Sequence, residues 1–305
     1  MDRCAGDKII YYGFMKKTIL ITGCSSGFGM ISAARLSSLG YTVYASMRDL
    51  SKKNDLKVEL DRRNTSCHMI ELDVCNDESI QRSIDTITDK EGKLDILINN
   101  AGYGIGGFFE DLSEKEIRDQ FETNFFGVQK VTRIALPLMR KTAMKSEDIF
   151  STKIVNVSSA QGRSALPGLG AYGSSKFALE GFSEGLHFEL YPFGIEVVLL
   201  EPGTFSTKAI DDNSKEAKSG LNAQSPYIEF TNRLKDLHTK ILETRRGVGD
   251  PEDVAIIIEK IIKRKKNKLR YLAGAQAKIR VGLRSILPFN WFSKIILKIT
   301  MGISK

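Results

Sequence analysis

The stretch Thr18-Ile19-Leu20-Ile21-Thr22-Gly23-Cys24-Ser25-Ser26-Gly27-Phe28-Gly29 decides the fold. Thr18–Ile21 is a short β-branched run and reads as a strand. It passes through a glycine turn into Met30-Ile31-Ser32-Ala33-Ala34-Arg35-Leu36, whose composition is helical. Strand, glycine turn and helix together form an anion site, because glycine lets the backbone approach a phosphate and the amides of a helix start face it. The spacing Thr-Gly-x-x-x-Gly-x-Gly differs from Gly-x-Gly-x-x-Gly and from turns ending in Gly-Lys-Ser/Thr. Taken alone, the stretch also fits a glycine turn that binds nothing.

Outward from it, the next strand, Thr42-Val43-Tyr44-Ala45, ends in Ser46-Met47-Arg48-Asp49. An acid at that strand end would bond a ribose 2′-hydroxyl; here Ser46 and Met47 hold the position, and Arg48 can meet a 2′-phosphate. NADP(H) is therefore the expected nucleotide and NAD(H) the second option, with Asp49 a partial counterweight. A third strand ending at Glu71-Leu72 delivers Asp73-Val74, a pair suited to an adenine. A fourth, Leu94–Ile98, ends in Asn99-Asn100-Ala101-Gly102, where small residues let a cofactor lie against the backbone. Strands alternating with helical stretches predict an α/β fold with a doubly wound parallel β-sheet.

Lys153–Val157 reads as a further strand that delivers Ser158-Ser159 to its carboxyl end, the end at which open α/β sheets bind ligands. Tyr172-Gly173-Ser174-Ser175-Lys176 opens a helical run, so Tyr172 and Lys176 share a face at i and i+4. A cation there is expected to lower the phenol pKa from its reference of ~10 and fit Tyr172 for proton transfer near neutral pH. By itself Tyr-x-x-x-Lys is weak, since any helix can carry it.

The order Thr22–Gly29, Asp73, Asn99–Gly102, Asn124, Ser159, Tyr172, Lys176 and Pro202-Gly203 resembles the short-chain dehydrogenase/reductase family over about residues 16–275, with Ser159 thirteen residues before Tyr172. The resemblance implies a Rossmann-like single domain and a catalytic set of Asn124, Ser159, Tyr172 and Lys176. Tyr172 would be the general acid in reduction and the base in oxidation, and Lys176 would lower its pKa and bind the nicotinamide ribose. Ser159, in preference to Ser158, would hold the substrate oxygen, and Asn124 would anchor a relay water. Gly23, Ser25, Ser26, Gly27, Phe28, Gly29, Arg48, Asp73, Val74, Asn100, Ala101 and Gly102 would bind the nucleotide, with Pro202, Gly203 and Thr207 at the carboxamide. Cys24–Gly29, Val43–Arg48, Asn99–Gly104 and Leu169–Tyr172 are similar to the branch of 17β-hydroxysteroid and retinol dehydrogenases, and closer to its uncharacterised bacterial oxidoreductases. That implies a hydrophobic alcohol or ketone as substrate. A 3-oxoacyl thioester reductase and a non-catalytic NADP-sensing protein are the alternatives; the intact Asn124, Ser159, Tyr172 and Lys176 weigh against the second.

Composition bounds the rest. The 305 residues suffice for one full core, so residues 15–275 read as one domain preceded by an upstream extension over 1–14. Four cysteines without metal spacing suit a reducing cytoplasm, and three scattered histidines suggest no metal. Of 45 basic residues, 13 lie in residues 260–305, which hold no acid, leaving 32 basic against 37 acidic residues elsewhere. The body is thus mildly acidic and offers nothing to nucleic acid. No stretch is long and apolar enough to span a bilayer. Residues 204–250 read as a polar substrate lid with short helical pieces near Tyr227–Leu242. The tail, residues 276–305, is basic and amphipathic. It suits packing over the cleft, packing on a partner subunit, or peripheral contact with an anionic membrane. Family pairing implies a homodimer or tetramer, with Phe177, Leu179, Phe182 and Leu186 on either a dimer face or the core.

Overall fold

The computed structural model describes residues 16–205, 214–218, 223–244 and 248–304. The extension expected over residues 1–14, and Thr207, lie outside the described residues. The strands are β1 (Thr18–Ile21), β2 (Thr42–Met47), β3 (His68–Glu71), β4 (Ile96–Asn99), β5 (Gly104–Gly106), β6 (Thr152–Val157), β7 (Ile195–Pro202), β8 (Ser214–Glu216) and β9 (Arg270–Ala273). Seven form one parallel sheet in the order β3-β2-β1-β4-β6-β7-β9, while β5 and β8 make a separate parallel pair. The strand order reverses between β1 and β4, and ligand crevices of such sheets open at that point.

Helices cover both faces, as an all-parallel sheet requires. They are α1 (Gly27–Ser38), α2 (Asn54–Arg62), α3 (Asp77–Glu91), α4 (Glu114–Phe121), α5 (Gly127–Met144), α6 (Gly170–Leu190), α7 (Ile228–Thr244), α8 (Pro251–Lys263), α9 (Ala275–Ile286) and α10 (Phe289–Met301). The period of two along each strand sorts the core into two layers. Ile19, Ile21, Val43, Ala45, Ile96 and Ile98 pack with Ala33 and Leu36 of α1 and with Val254, Ile258 and Ile261 of α8. Leu20, Tyr44, Leu97 and Ile154 pack on the other side with Ile80 and Ile84 of α3, Val131 and Ala135 of α5, and Leu186 and Leu190 of α6. Each fully buried Val, Leu or Ile among them contributes about 1.5–3 kcal/mol.

One charged pair sits inside the sheet. Lys153 of β6 lies opposite Glu196 of β7, and its Nζ donates to Glu196 Oε2 at 2.6 Å, with side chains 1% and 5% exposed. Glu196 also accepts from the backbone and side-chain amides of Asn267, both at 2.6 Å, so each of its oxygens has a donor.

The lid region departs from the reading above. The short helical pieces expected near Tyr227–Leu242 are one helix, α7, of 17 residues. Phe230, Leu234, Leu237 and Ile241 recur at helical spacing, a period that the charges between them mask. For the tail, the fold bears on one of the options given above, packing on the body. Ala277 and Val281 of α9 are buried in a cluster with Ala160, so α9 packs on the body directly beyond β6.

Candidate active site

The glycine turn is shaped by what surrounds it. Gly23 and Gly27 have φ of 74° and 60°, a region that side chains with a Cβ rarely adopt. A Cβ on Gly23 would lie 2.7 Å from Ala101 Cα, and one on Gly29 would overlap the Gly23 carbonyl oxygen. Thr22 Oγ1 accepts from the backbone amides of Asn100 and Ala101 at 3.0 Å each. Asn100 Nδ2 in turn donates to the carbonyls of Thr22 and Gly23 at 2.9 and 3.0 Å. The loops after β1 and β4 are thereby tied together. Asn100, expected among the nucleotide contacts, thus commits its side chain to the turn.

Ser26, at the N-cap of α1, makes no side-chain capping bond, and no acid stands in the first turn. Its opening amides at Gly27, Phe28 and Gly29 therefore present a positive end to the crevice. This arrangement fits a pyrophosphate: a cradle that any Cβ would fill, facing uncapped helix amides.

At the end of β2, Ser46 is not where the sequence reading put it. It is fully buried, and its Oγ donates to the Ile21 carbonyl at 3.1 Å, while Met47 is also buried. Arg48 is the first exposed residue of that strand end. Asp49 accepts from the Ser51 backbone amide at 2.9 Å and closes its own turn, a bond that favours its charged form, so it remains a partial counterweight to Arg48. Asp73 similarly accepts from the Cys75 amide at 2.9 Å, and Val74 is buried beside it.

β6 ends in Ser158-Ser159, and a short turn, Ala160–Gly162, leads on toward α6. Tyr172 stands in the first turn of α6, its ring beside Gly104 of β5. Lys176 lies one turn on; its Nζ donates to the Val157 carbonyl at 2.9 Å and sits 5.9 Å from the Tyr172 ring centroid. Burial depresses Lys176 to about 8, opposed in part by Glu180. Burial also raises the Tyr172 phenol above its ordinary value, and the nearby Ser159 hydroxyl and Arg280 guanidinium only partly reverse this. The expected lowering of Tyr172 by Lys176 is therefore not what this structure holds. Desolvation is the largest influence on both groups, and what opposes it is Ser159 and Arg280 at Tyr172 and Glu180 at Lys176. The phenol stays protonated.

Asn124 is fully buried in a π-helical turn, Glu122–Phe126, between α4 and α5. Its Oδ1 accepts from the Tyr103 amide at 3.1 Å and its Nδ2 donates to the Tyr103 carbonyl at 2.9 Å. A Cβ on Gly102 would lie 3.0 Å from Asn124 Oδ1 and 3.8 Å from Lys176 Nζ, so the three converge. Such π turns occur mostly at functional sites, because one extra residue re-aims a side chain. Pro202-Gly203 ends β7 close by: a Cβ on Gly203 would meet Ala277 of α9 at 2.8 Å.

Three features of the site carry no motif in the sequence. Arg280, in the stretch read as tail, is placed by α9 within electrostatic range of Tyr172. Beneath Lys176, Glu201 and Glu180 form a buried acidic pair held by arginines: Arg270 reaches Glu180 at 2.9 Å, and Arg163 reaches Glu201 at 3.5 Å. On the lid side, Phe108 stacks on Tyr227 with ring centroids 4.6 Å apart, and Phe230 lies 6.3 Å away. That aromatic group follows β5 and was hidden in a segment of low overall hydrophobicity.

Known proteins share this fold. The family model for short chain dehydrogenases matches residues 17–218. The uncharacterized oxidoreductase YusZ of Bacillus subtilis is 37% identical over 286 residues, covering 93% of this chain and 98% of that protein. The 3-ketodihydrosphingosine reductase of Bacteroides thetaiotaomicron is 38% identical over 274 residues, covering 89% and 93%. A solved short-chain dehydrogenase from Streptomyces avermitilis superposes with a TM-score of 0.72 at 32% identity, covering 88% and 96%. The chain belongs to the short-chain dehydrogenase family. It is an oxidoreductase of that family, working between alcohol and keto groups with a nicotinamide nucleotide.

Proposed function

We propose that the chain is an NADP(H)-dependent alcohol dehydrogenase or carbonyl reductase for lipophilic substrates. The observation that carries this is the convergence of a half-buried Tyr172, its phenol pKa raised by desolvation, with Ser159 and Lys176 on the crevice side of the sheet where α1 starts. The bound nicotinamide supplies the hydride in reduction and takes it up in oxidation. Tyr172 gives its proton to the substrate oxygen in reduction and recovers it in oxidation. Ser159 holds that oxygen against the phenol, Lys176 binds the nicotinamide ribose, and Asn124 fixes the Tyr103 backbone where a relay water would rest. Gly23, Ser25, Ser26, Gly27, Phe28 and Gly29 hold the pyrophosphate, and Arg48 takes the 2′-phosphate. Asp73 and Val74 face the adenine, Ala101 and Gly102 give room along the backbone, and Pro202 and Gly203 flank the carboxamide.

The stacked Phe108 and Tyr227 beside Phe230 support an apolar substrate, as does the likeness to a protein named for reducing 3-ketodihydrosphingosine. The test is NADPH oxidation, with NADH alongside, against a keto-steroid, retinal, a long-chain ketone and an acetoacetyl thioester. Turnover of a lipophilic carbonyl, abolished in Tyr172→Phe while NADPH still binds, is the expected result. Turnover of the thioester alone would move the protein to acyl-thioester reduction, and undiminished turnover in Tyr172→Phe would remove that residue from its role.

Pairing through α5 and α6 belongs to the same reading. Leu179 and Leu186 are core residues, and Phe182 packs against the core. The outer strip of α6 instead carries the exposed Phe177 and Phe188, with open space over Gly181 and Gly185 between them. A second copy would cover that strip; sedimentation of monomers alone at micromolar protein would count against it.

A further inference from the structure

The helix α9 has two opposite faces. Ala277 and Val281 are buried against the body, while Ile279, Leu283 and Ile286 recur at i, i+4 and i+7 with exposures of 64%, 39% and 82%. After Leu287-Pro288, α10 continues the pattern: Phe289 and Trp291 are 62% and 66% exposed, and Ile295 and Ile299 follow Trp291 at i+4 and i+8. Both apolar stripes meet at the α9–α10 corner. The corner is held firmly, because the Arg284 guanidinium lies 5.3 Å from the Phe289 ring centroid and 6.0 Å from that of Phe292, which is buried. Residues 274–305 contain six Lys and Arg and no Asp or Glu. Lys278, Lys294 and Lys298 are exposed beside the stripes.

The two helices of this corner carry only cations, the acids nearest the stripes being Glu229 and Asp236 of α7 beside Ile299, at the end away from the aromatic tip. An apolar corner with a cationic flank and an aromatic pair at its tip is what an interfacial lipid-binding element requires. A polar partner would leave Ile286 and Trp291 unmatched, and a basic one would be repelled. We propose that the α9–α10 corner docks on an anionic lipid bilayer, with Ile286, Phe289 and Trp291 in the headgroup–acyl boundary and Lys294 and Lys298 at the phosphates. The opposite face of α9 lies against Ala160 and Gly203, so docking holds the cleft at the lipid surface. The docking itself does not depend on which carbonyl is reduced.

Trp291 is the single tryptophan of the chain and therefore reports on its own position. The full-length protein is titrated with phosphatidylcholine vesicles containing phosphatidylglycerol, and with phosphatidylcholine alone. Co-sedimentation and a blue shift of the emission are expected with the anionic vesicles, both weakening as salt rises. Lys294→Gln and Lys298→Gln are each expected to weaken binding about fivefold, and Ile286→Gln to abolish the blue shift. An unmoved emission at low salt overturns the proposal. So does equal, salt-independent binding to the neutral vesicles. If Ile286→Gln instead dissolves a dimer of this chain in sedimentation, the corner is an interface between copies and the proposal is wrong. None of these measurements uses turnover, so their failure is separable from failure of the substrate reading.

Discussion

Replacing Glu201 by glutamine is expected to stabilise the protein above neutral pH. The side chain is fully buried near the end of β7. Burial, followed by the charge of Glu180, pushes its pKa from the ordinary 4.5 up to about 7, against the pull of Arg163 and Arg270. Its Oε1 has no hydrogen-bond partner among the described residues. A carboxyl raised in the native state binds more protons folded than unfolded between its two pKa values, so stability falls as pH rises through that window and is level above it. The interval from 4.5 to about 7 corresponds to about 3 kcal/mol. Glutamine keeps the volume and never ionises, so it escapes this loss. Urea unfolding of both proteins should show a small difference near about pH 5, opening to about 2–3 kcal/mol in favour of Glu201→Gln by about pH 8. A difference that stays constant across this range would refute the reasoning, because only a titrating group can make it grow.

Other substitutions probe the site and the sheet. Arg48→Gln should raise KM for NADPH about 10–100-fold while leaving NADH within about threefold, the loss expected for a charge-assisted phosphate contact; equal effects on both would end the NADP reading. Arg280→Met removes a cation that lowers the Tyr172 pKa. Alcohol oxidation, which needs the phenolate, should then demand higher pH, with the acid limb of its kcat/KM profile displaced upward and carbonyl reduction little changed; an unmoved limb would show that Arg280 does not act on the phenol. Lys153→Met should cost about 3–5 kcal/mol in urea unfolding by leaving Glu196 buried without its cation, and adding Glu196→Leu should recover part of it. A double variant no better than the single one would assign the loss to packing.

Much of the nucleotide half was legible because its signals are local. The run Thr18–Ile21, the glycines of residues 23–29 and the strand ends at Asp73 and Asn99 each announce themselves within a few residues. Tyr172 and Lys176 were legible as a pair because helical spacing fixes their shared face. Their electrostatics were not: the pKa of each depends on how much of the chain closes over it, and burial reversed the expected direction for Tyr172. Ser46 and Asn100 show the same limit, since their side chains went to backbone partners brought by β1 and by the turn that follows it. α7 was obscured by charges on its exposed side. Arg280 and Glu201 could not be found at all from spacing, because their neighbours arrive from α6, α9 and the segment after β6.

The tie between the loops after β1 and β4 has a consequence for the order of events. Thr22 and Asn100 lock the glycine turn through four hydrogen bonds before any nucleotide arrives. Nucleotide binding then has little left to organise there, so amide hydrogen exchange at Ala101 should be slow in the empty protein and scarcely slower when loaded. Among the described residues, the segment after β7 is joined to the body through β8, the aromatic stack and polar contacts such as Ser225 to Asp111. The nucleotide thus enters a finished seat, and the ordering cost of its binding is met in advance by the fold itself.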